Sequence, residues 1–202
     1  MKQESPKPPL SGVVLAGGRA GRLSGQDKTQ LRFGDKILLE RNLEILAPLC
    51  TETLISSNSL TSYADCRVVP DQALGQGPLG ALYSCLKAAR NPYLLIIATD
   101  MPFITTKALT KLWQERDSFD VIIPESPDGM QPLAALYHQR CISPIQKQLQ
   151  KGNFKLRSFF SEVKVKVINC LDFPEIYHKN IFLNINSPAD LEKARSLYGQ
   201  IN

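Results

Sequence analysis

The chain has 202 residues, 43% hydrophobic and 21% charged, the balance of one globular domain, which excludes disordered and fibrous classes. Its net charge is +5 and its pI about 9.0, which suits an anionic partner, yet the 24 Lys and Arg are scattered and aromatics reach only 7%, so small anions are favoured over DNA or RNA. No run approaches the ~20 apolar residues of a membrane span, residues 1–11 carry no signal-peptide core, and Cys50, Cys66, Cys85, Cys141 and Cys170 lack metal-ligand spacing.

One cytoplasmic domain over residues 1–202 is therefore expected, with reduced thiols and a flexible N-terminus over 1–11. Its first element is a buried strand, Gly12 to Ala16, ending in Gly17 and Gly18. Ile37 to Leu49 has apolar residues at helical spacing; Thr53 to Ser57 and Arg67 to Val69 read as strands. Pro78 to Arg90 reads as a helix with proline in its first turn. Tyr93 to Ala98 is the most apolar strand candidate, buried on both faces as a central parallel strand would be. A helix over Thr105 to Arg116, strands over Asp120 to Pro124 and Pro132 to Tyr137, and helices over Ser143 to Gln150 and Phe154 to Phe160 follow. Val163 to Ile168 and Ile181 to Ile185 read as strands, and Ser187-Pro188-Ala189-Asp190 opens a last helix running to about Tyr198. This alternation predicts an α/β three-layer sandwich on a Rossmann-like, mostly parallel sheet. Ligands then sit outside the carboxyl ends of the strands, which selects the loops Gly17–Lys28, Ser56–Asn58, Asp71–Gly80, Thr99–Phe103 and Asn184–Ser187.

In the first of these loops Gly17, Gly18, Gly21 and Gly25 let bare backbone amides face phosphate oxygens, while Arg19, Arg22 and Lys28 add positive charge. Each charge-assisted hydrogen bond to a phosphate contributes about 1.5–3 kcal/mol. The loop is not a Walker A sequence, because Lys28 follows Asp27, and it lacks the G-x-G-x-x-G dinucleotide pattern. Glycine content alone leaves a purely structural loop as the alternative.

The order of residues carries more. Leu15-Ala16-Gly17-Gly18, Arg22, Gly25 and Asp27-Lys28 resemble the signature of the molybdenum cofactor guanylyltransferases, a branch of the wider nucleotidyltransferase group whose fold is that of the nucleotide-diphospho-sugar transferases. Leu23 stands for the usual methionine and Ser24 for a frequent glycine. Asp100, after the apolar strand, is by position either a helix cap or a magnesium carboxylate. Thr99-Asp100-Met101-Pro102-Phe103 resembles the family's metal-binding segment, with Thr99 in place of a frequent cysteine, and the resemblance implies Mg2+ on Asp100. Asp71, otherwise an ordinary turn residue before Gly77-Pro78-Leu79-Gly80, matches an aspartate that contacts the nucleotide. Asn58, or Ser56 two positions earlier, matches an asparagine that helps hold the base. Gln131-Pro132-Leu133 and Asn184-Ile185-Asn186-Ser187-Pro188 resemble two later family segments on the acceptor side.

The resemblance implies transfer of GMP from GTP to the terminal phosphate of molybdopterin, with release of pyrophosphate. Lys28, Arg22 and Asp100 would be catalytic; Leu15, Ala16, Gly17, Gly18, Lys28, Asn58, Asp71 and Asp100 would bind nucleotide; Gln131, Asn184 and Asn186 would meet the acceptor. Expected partners are GTP and a molybdopterin-type acceptor, with no nucleic acid and no membrane. The resemblance also leaves room for transient contacts with other cofactor-biosynthesis or molybdoenzyme-maturation proteins. The acceptor phosphate is ionised near pH 7 and needs no general base, in keeping with His138 and His178 lying outside the selected loops. Gly17, where related cytidylyl- and sugar-nucleotide enzymes usually carry alanine, is read as room for a purine. The rivals are a cytidylyl- or sugar-phosphate nucleotidyltransferase, and a non-catalytic GTP-binding partner.

Overall fold

The computed structural model describes residues 7–17, 22–23, 26–27, 30–72 and 74–201, with backbone alone at 22, 23, 26, 27, 200 and 201. Eight strands build the main sheet: β1 (Leu10–Leu15), β2 (Glu52–Ser56), β3 (Arg67–Val69), β4 (Tyr93–Ala98), β5 (Val121–Ser126), β6 (Gly129–Met130), β7 (Ala134–His138) and β8 (Val165–Asn169). Their order is β6-β5-β7-β4-β1-β2-β3. β8 lies on the other flank of β5, since Val121 pairs with both Tyr137 and Val165. β1 runs parallel to β2 and β4, and β2 to β3, while β7 is antiparallel to both β4 and β5. The carboxyl ends of β1 to β5 and β8 therefore open on one edge of the sheet.

Among the described residues four helices pack on the sheet, α1 (Leu38–Leu46), α2 (Gly77–Ala88), α3 (Thr106–Gln114) and α4 (Ile142–Gln150), and a fifth, α5 (Pro188–Ile201), ends the chain's helices. The two-residue period of β4 divides its side chains between two cores. Leu95 and Ile97 join Leu39 and Leu46 of α1 and Leu109 and Leu112 of α3. Leu94 and Ile96 join Leu79, Leu82 and Leu86 of α2 and Ile145 of α4. Burial on both faces is why β4 is a continuous apolar run, each side chain stabilising the fold by roughly 1.5–3 kcal/mol. A third cluster, with Leu31, Phe33, Leu38, Phe103, Ile185, Leu191 and Ala194, ties α5 to the loop that follows β4.

Local signals set the helix starts. Thr105 caps α3 by accepting from the amide of Ala108 at 3.2 Å. Ser187 and Asp190 close a reciprocal cap on α5, with the Ser187 amide donating to Asp190 Oδ2 at 2.9 Å and the Asp190 amide to Ser187 Oγ at 3.2 Å. At α2, Gly77 has φ +61°, a left-handed conformation that glycine adopts without strain, and Pro78 follows in the first turn.

Four expectations need correction. Phe154 to Phe160 is not an α-helix: its backbone makes isolated i→i+3 bonds, Ser158 to Lys155 at 2.9 Å and Phe160 to Arg157 at 3.2 Å, before a 3₁₀ turn over Phe160–Glu162. Its apolar spacing serves instead to pack Phe159 and Phe160 on the second core. Ile181 to Ile185 is not a strand, since its amides close turns (Ile181 to His178 O, Leu183 to Asn180 O) while Ile181 and Ile185 enter the first and third cores. The flexible N-terminus expected over 1–11 is too long: Leu10 and Ser11 are fully buried in β1, which starts two residues before Gly12. The last helix also passes Gly199 to reach Ile201.

Candidate active site

Four of the five selected loops begin at the carboxyl ends of β1 to β4, and a backbone bond from Ile185 to Asp100 ties the fifth to the same edge. Ala16 donates its amide to Ser56 O at 2.9 Å and Thr99 donates to Leu15 O through both its amide (3.2 Å) and its hydroxyl (2.8 Å), so the ends of β1, β2 and β4 are locked side by side. Leu15 and Ala16 hold the floor of this edge, and Gly17 emerges from it exposed. A Cβ on Gly17 would lie 3.6 Å from Ser56 O and 3.7 Å from Ser57 Cα, which is ordinary contact. The described residues around it thus do not demand glycine there. Gly18 and Lys28 lie outside the described residues. Arg22 is described as backbone only, in a short antiparallel ribbon where Arg22–Leu23 pairs with Gln26–Asp27.

Asn58 and Asp71, 13 residues apart in the chain, form one unit. Asn58 Nδ2 donates to Asp71 Oδ2 at 2.8 Å, and Asn58 Oδ1 accepts from the Asp71 amide at 2.8 Å. This two-point contact joins the exits of β2 and β3 and holds the Asp71 carboxylate on Asn58, whose backbone amide nitrogen lies 4.0 Å from a Cβ built on Gly17. Ser56, the alternative to Asn58, is buried at 2% exposure and is spent inside the strand. The loop beyond Asp71 is tied to α2 through Gln72, whose amide donates to Ser84 Oγ at 3.0 Å.

Asp100 follows β4 at the centre of the same edge. Its carbonyl accepts from the Ile185 amide at 2.9 Å, which brings the segment of Asn184 and Asn186 to the Asp100 turn even though that segment is no strand. Gln131 sits beside the end of β4, where Ala98 donates to Leu133 O at 2.9 Å. Its amide nitrogen is committed to its own hairpin, donating to Ser126 Oγ and Gly129 O, each at 3.0 Å.

The donor set at this edge fits magnesium rather than a softer metal. Among the described residues, no group of three or more His, Cys, Asp and Glu gathers into a protein-only cage. Asp100 is a single hard carboxylate, the arrangement used where a cation completes its shell with substrate phosphates and water. Nucleophilic alternatives are poor. Burial pushes the thiols of Cys50, Cys85, Cys141 and Cys170 up to about 12, so they stay protonated and inert at neutral pH. His138 lies at the opposite end of β4, paired with Tyr93, and burial together with neighbouring Arg140 lowers its pKa.

Residues 12–167 match the family described as the MobA-like NTP transferase domain. The chain is 33% identical over 190 residues to a probable molybdenum cofactor guanylyltransferase of Pelotomaculum thermopropionicum, covering 92% of this chain and 91% of that one. It is 35% identical over 207 residues to its counterpart in Chloroflexus aggregans, covering 96% and 97%.

The chain belongs to the molybdenum cofactor guanylyltransferase family.

As a member it is a nucleotidyltransferase enzyme. Among solved structures, molybdopterin-guanine dinucleotide biosynthesis protein A of Archaeoglobus fulgidus superposes with a TM-score of 0.81 at 25% identity, covering 94% of this chain and 99% of that one. The 2-C-methyl-D-erythritol 4-phosphate cytidylyltransferase of Thermus thermophilus, at TM-score 0.68 and 16% identity over 92% of this chain and 97% of its own, shares the fold. No helix among the described residues is long and apolar enough to cross a membrane.

Thr99, which stands in its segment for a frequent cysteine, links β4 to β1. Two further residues at this edge escape the motif reading. Arg41 and Asn42 of α1 reach the loop around Asp100: Arg41 Nε donates to Pro102 O at 2.9 Å, and Asn42 Nδ2 donates to Ala98 O and Thr99 O, both at 3.1 Å. The available signal is Asn42, a polar residue three positions after Leu39 and four before Leu46 on the face of α1 that is otherwise leucine, with Arg41 beside it. No loop motif includes it.

Proposed function

We propose that this guanylyltransferase transfers GMP from GTP to the terminal phosphate of molybdopterin, with Mg2+ held by Asp100. The observation that carries the reading is the meeting, at one sheet edge, of the Leu15–Gly17 exit, the Asn58–Asp71 pair and Asp100, in a chain whose guanylyltransferase relatives it matches over nearly its full length. In the reaction an oxygen of the acceptor phosphate bonds to the α-phosphorus of GTP while the α–β bridging bond breaks, and pyrophosphate leaves with its electron pair. Magnesium, when bound, supplies positive charge that offsets the charge developing on the phosphates.

The chain's own residues do the positioning. The backbone at Gly17 and Gly18 and the charges of Arg22 and Lys28 hold the triphosphate. The Asn58–Asp71 unit lines the opening for the base, its carboxylate suited to accept from the N–H groups of a guanine edge. Gln131, Asn184 and Asn186 face the acceptor side. We place this work in the cytoplasm, in keeping with five free cysteines.

The test is to incubate the purified chain with GTP, MgCl2 and molybdopterin, then measure pyrophosphate and the dinucleotide product. Formation of both, with GTP preferred over CTP, supports the reading. Nucleotide binding without pyrophosphate release would indicate a non-catalytic GTP-binding protein, and CTP preference a cytidylyltransferase.

A further inference from the structure

Asn42 is a polar side chain at 0% exposure, on a helix whose neighbouring buried positions are Leu38, Leu39 and Leu46. Its amide orientation is set by chemistry: Nδ2 must face the carbonyls of Ala98 and Thr99, and Oδ1 then points into the interior, where it is buried with no hydrogen-bond partner. An apolar side chain of the same volume would avoid that unpaired oxygen, so packing does not account for asparagine here. What it contributes is a pair of donors, delivered where β4 has just ended.

Arg41, its neighbour, grips the other side of the same turn. Its Nε holds Pro102 O at 2.9 Å, and its guanidinium is braced over the rings of Phe33 at 5.7 Å and Tyr198 at 5.2 Å. Together with the Ile185 amide on Asp100 O, the carbonyls of residues 98, 99, 100 and 102 are all held by groups from outside the strand. The side chain of Asp100 leaves a backbone restrained on both flanks.

We propose that Arg41 and Asn42 are positioning residues for the metal carboxylate, aiming Asp100 at the magnesium that accompanies GTP. Neither touches metal or nucleotide; both act through the carbonyls around Asp100. The inference rests on the reading of Asp100 as the magnesium ligand, and the experiment separates the two.

The full chain and its Asn42→Leu, Arg41→Met and Asp100→Asn variants are compared by three measurements. Protein-bound Mn2+ is counted by electron paramagnetic resonance with a non-hydrolysable GTP analogue, binding of that analogue is measured without divalent metal, and the thermal midpoint is recorded. Asn42→Leu and Arg41→Met should each raise half-saturating Mn2+ by about tenfold while leaving metal-free nucleotide binding within about twofold, the scale seen when outer partners of a metal ligand are lost. Asp100→Asn should remove the protein-bound Mn2+. If Asp100→Asn binds Mn2+ like the parent, the ligand assignment itself fails. If Asp100→Asn loses Mn2+ but both helix variants keep the parental half-saturation, or change only the thermal midpoint, the positioning role is overturned. Should Asn42→Leu not fold, Arg41→Met decides alone.

Discussion

Replacing Gly17 by alanine adds one methyl in the gap between the ends of β1 and β2, and tests whether that gap belongs to the base. The new Cβ would meet Ser56 O at 3.6 Å, Ser57 Cα at 3.7 Å and the Asn58 amide nitrogen at 4.0 Å, none of them a clash. Gly17 is exposed and its φ lies outside the left-handed region, so the folded state accepts alanine. The smaller freedom of the unfolded chain should leave stability equal or raised by about 0.4–1 kcal/mol. Any loss must therefore appear in binding. A methyl intruding on a fitted site costs about 1–3 kcal/mol, or roughly 10- to 200-fold, and a two-ring base should feel it more than a one-ring base. The assay is calorimetric titration of GTP and CTP into parent and Gly17→Ala, with a thermal melt alongside. The reasoning predicts weakened GTP binding, unchanged or improved CTP binding and an unchanged or higher midpoint. Equal weakening of both nucleotides, or none of either, refutes purine accommodation at Gly17.

Further outcomes follow from the same geometry. Lys28→Ala should lower turnover by roughly 100-fold, the loss of one charge-assisted phosphate contact, with an unchanged thermal midpoint; full activity would remove Lys28 from the triphosphate site. Gly12→Ala would bring a Cβ to 2.8 Å from Cys50 Sγ and 3.3 Å from Leu46, and should cost about 1–3 kcal/mol in denaturant unfolding; an unaltered midpoint would show that α1 and β1 are not closely packed. Burial alone would raise the Asp120 pKa, but the Lys164 amide and the Arg140 guanidinium outweigh it and hold the carboxyl below its usual value. A carboxylate lowered in the folded state stabilises at pH above its unfolded value and loses that contribution as pH falls through its folded value. Asp120→Asn should therefore flatten the fall of stability below about pH 4; an identical acid limb in both proteins refutes this.

Sequence patterning made the skeleton legible because it reports local chemistry. Tyr93 to Ala98, an apolar run without alternation, reads as a segment buried on both faces, and in the fold it is the strand β4. Pro78 and Ser187-Pro188 marked helix starts through the bonds their backbones can and cannot make. The same signals misread Ile181 to Ile185 and Phe154 to Phe160, because an apolar run records only that side chains are buried and not what their backbones bond to. Ile185 is buried as a strand residue would be, yet its amide goes to the carbonyl of Asp100.

Residue types along the chain set the order of its chemistry: a glycine-rich cationic loop, an aspartate after an apolar strand, and paired polar turns. Those follow from residue type and short-range spacing. Only the tertiary structure decided which of them meet. Asn58 found Asp71 across two strand exits, and Arg41 with Asn42 found the turn around Asp100. Such contacts join residues 13 to 61 positions apart, a distance at which spacing in the chain carries no information and only the crossing of parallel strands and helices brings the groups within hydrogen-bond reach.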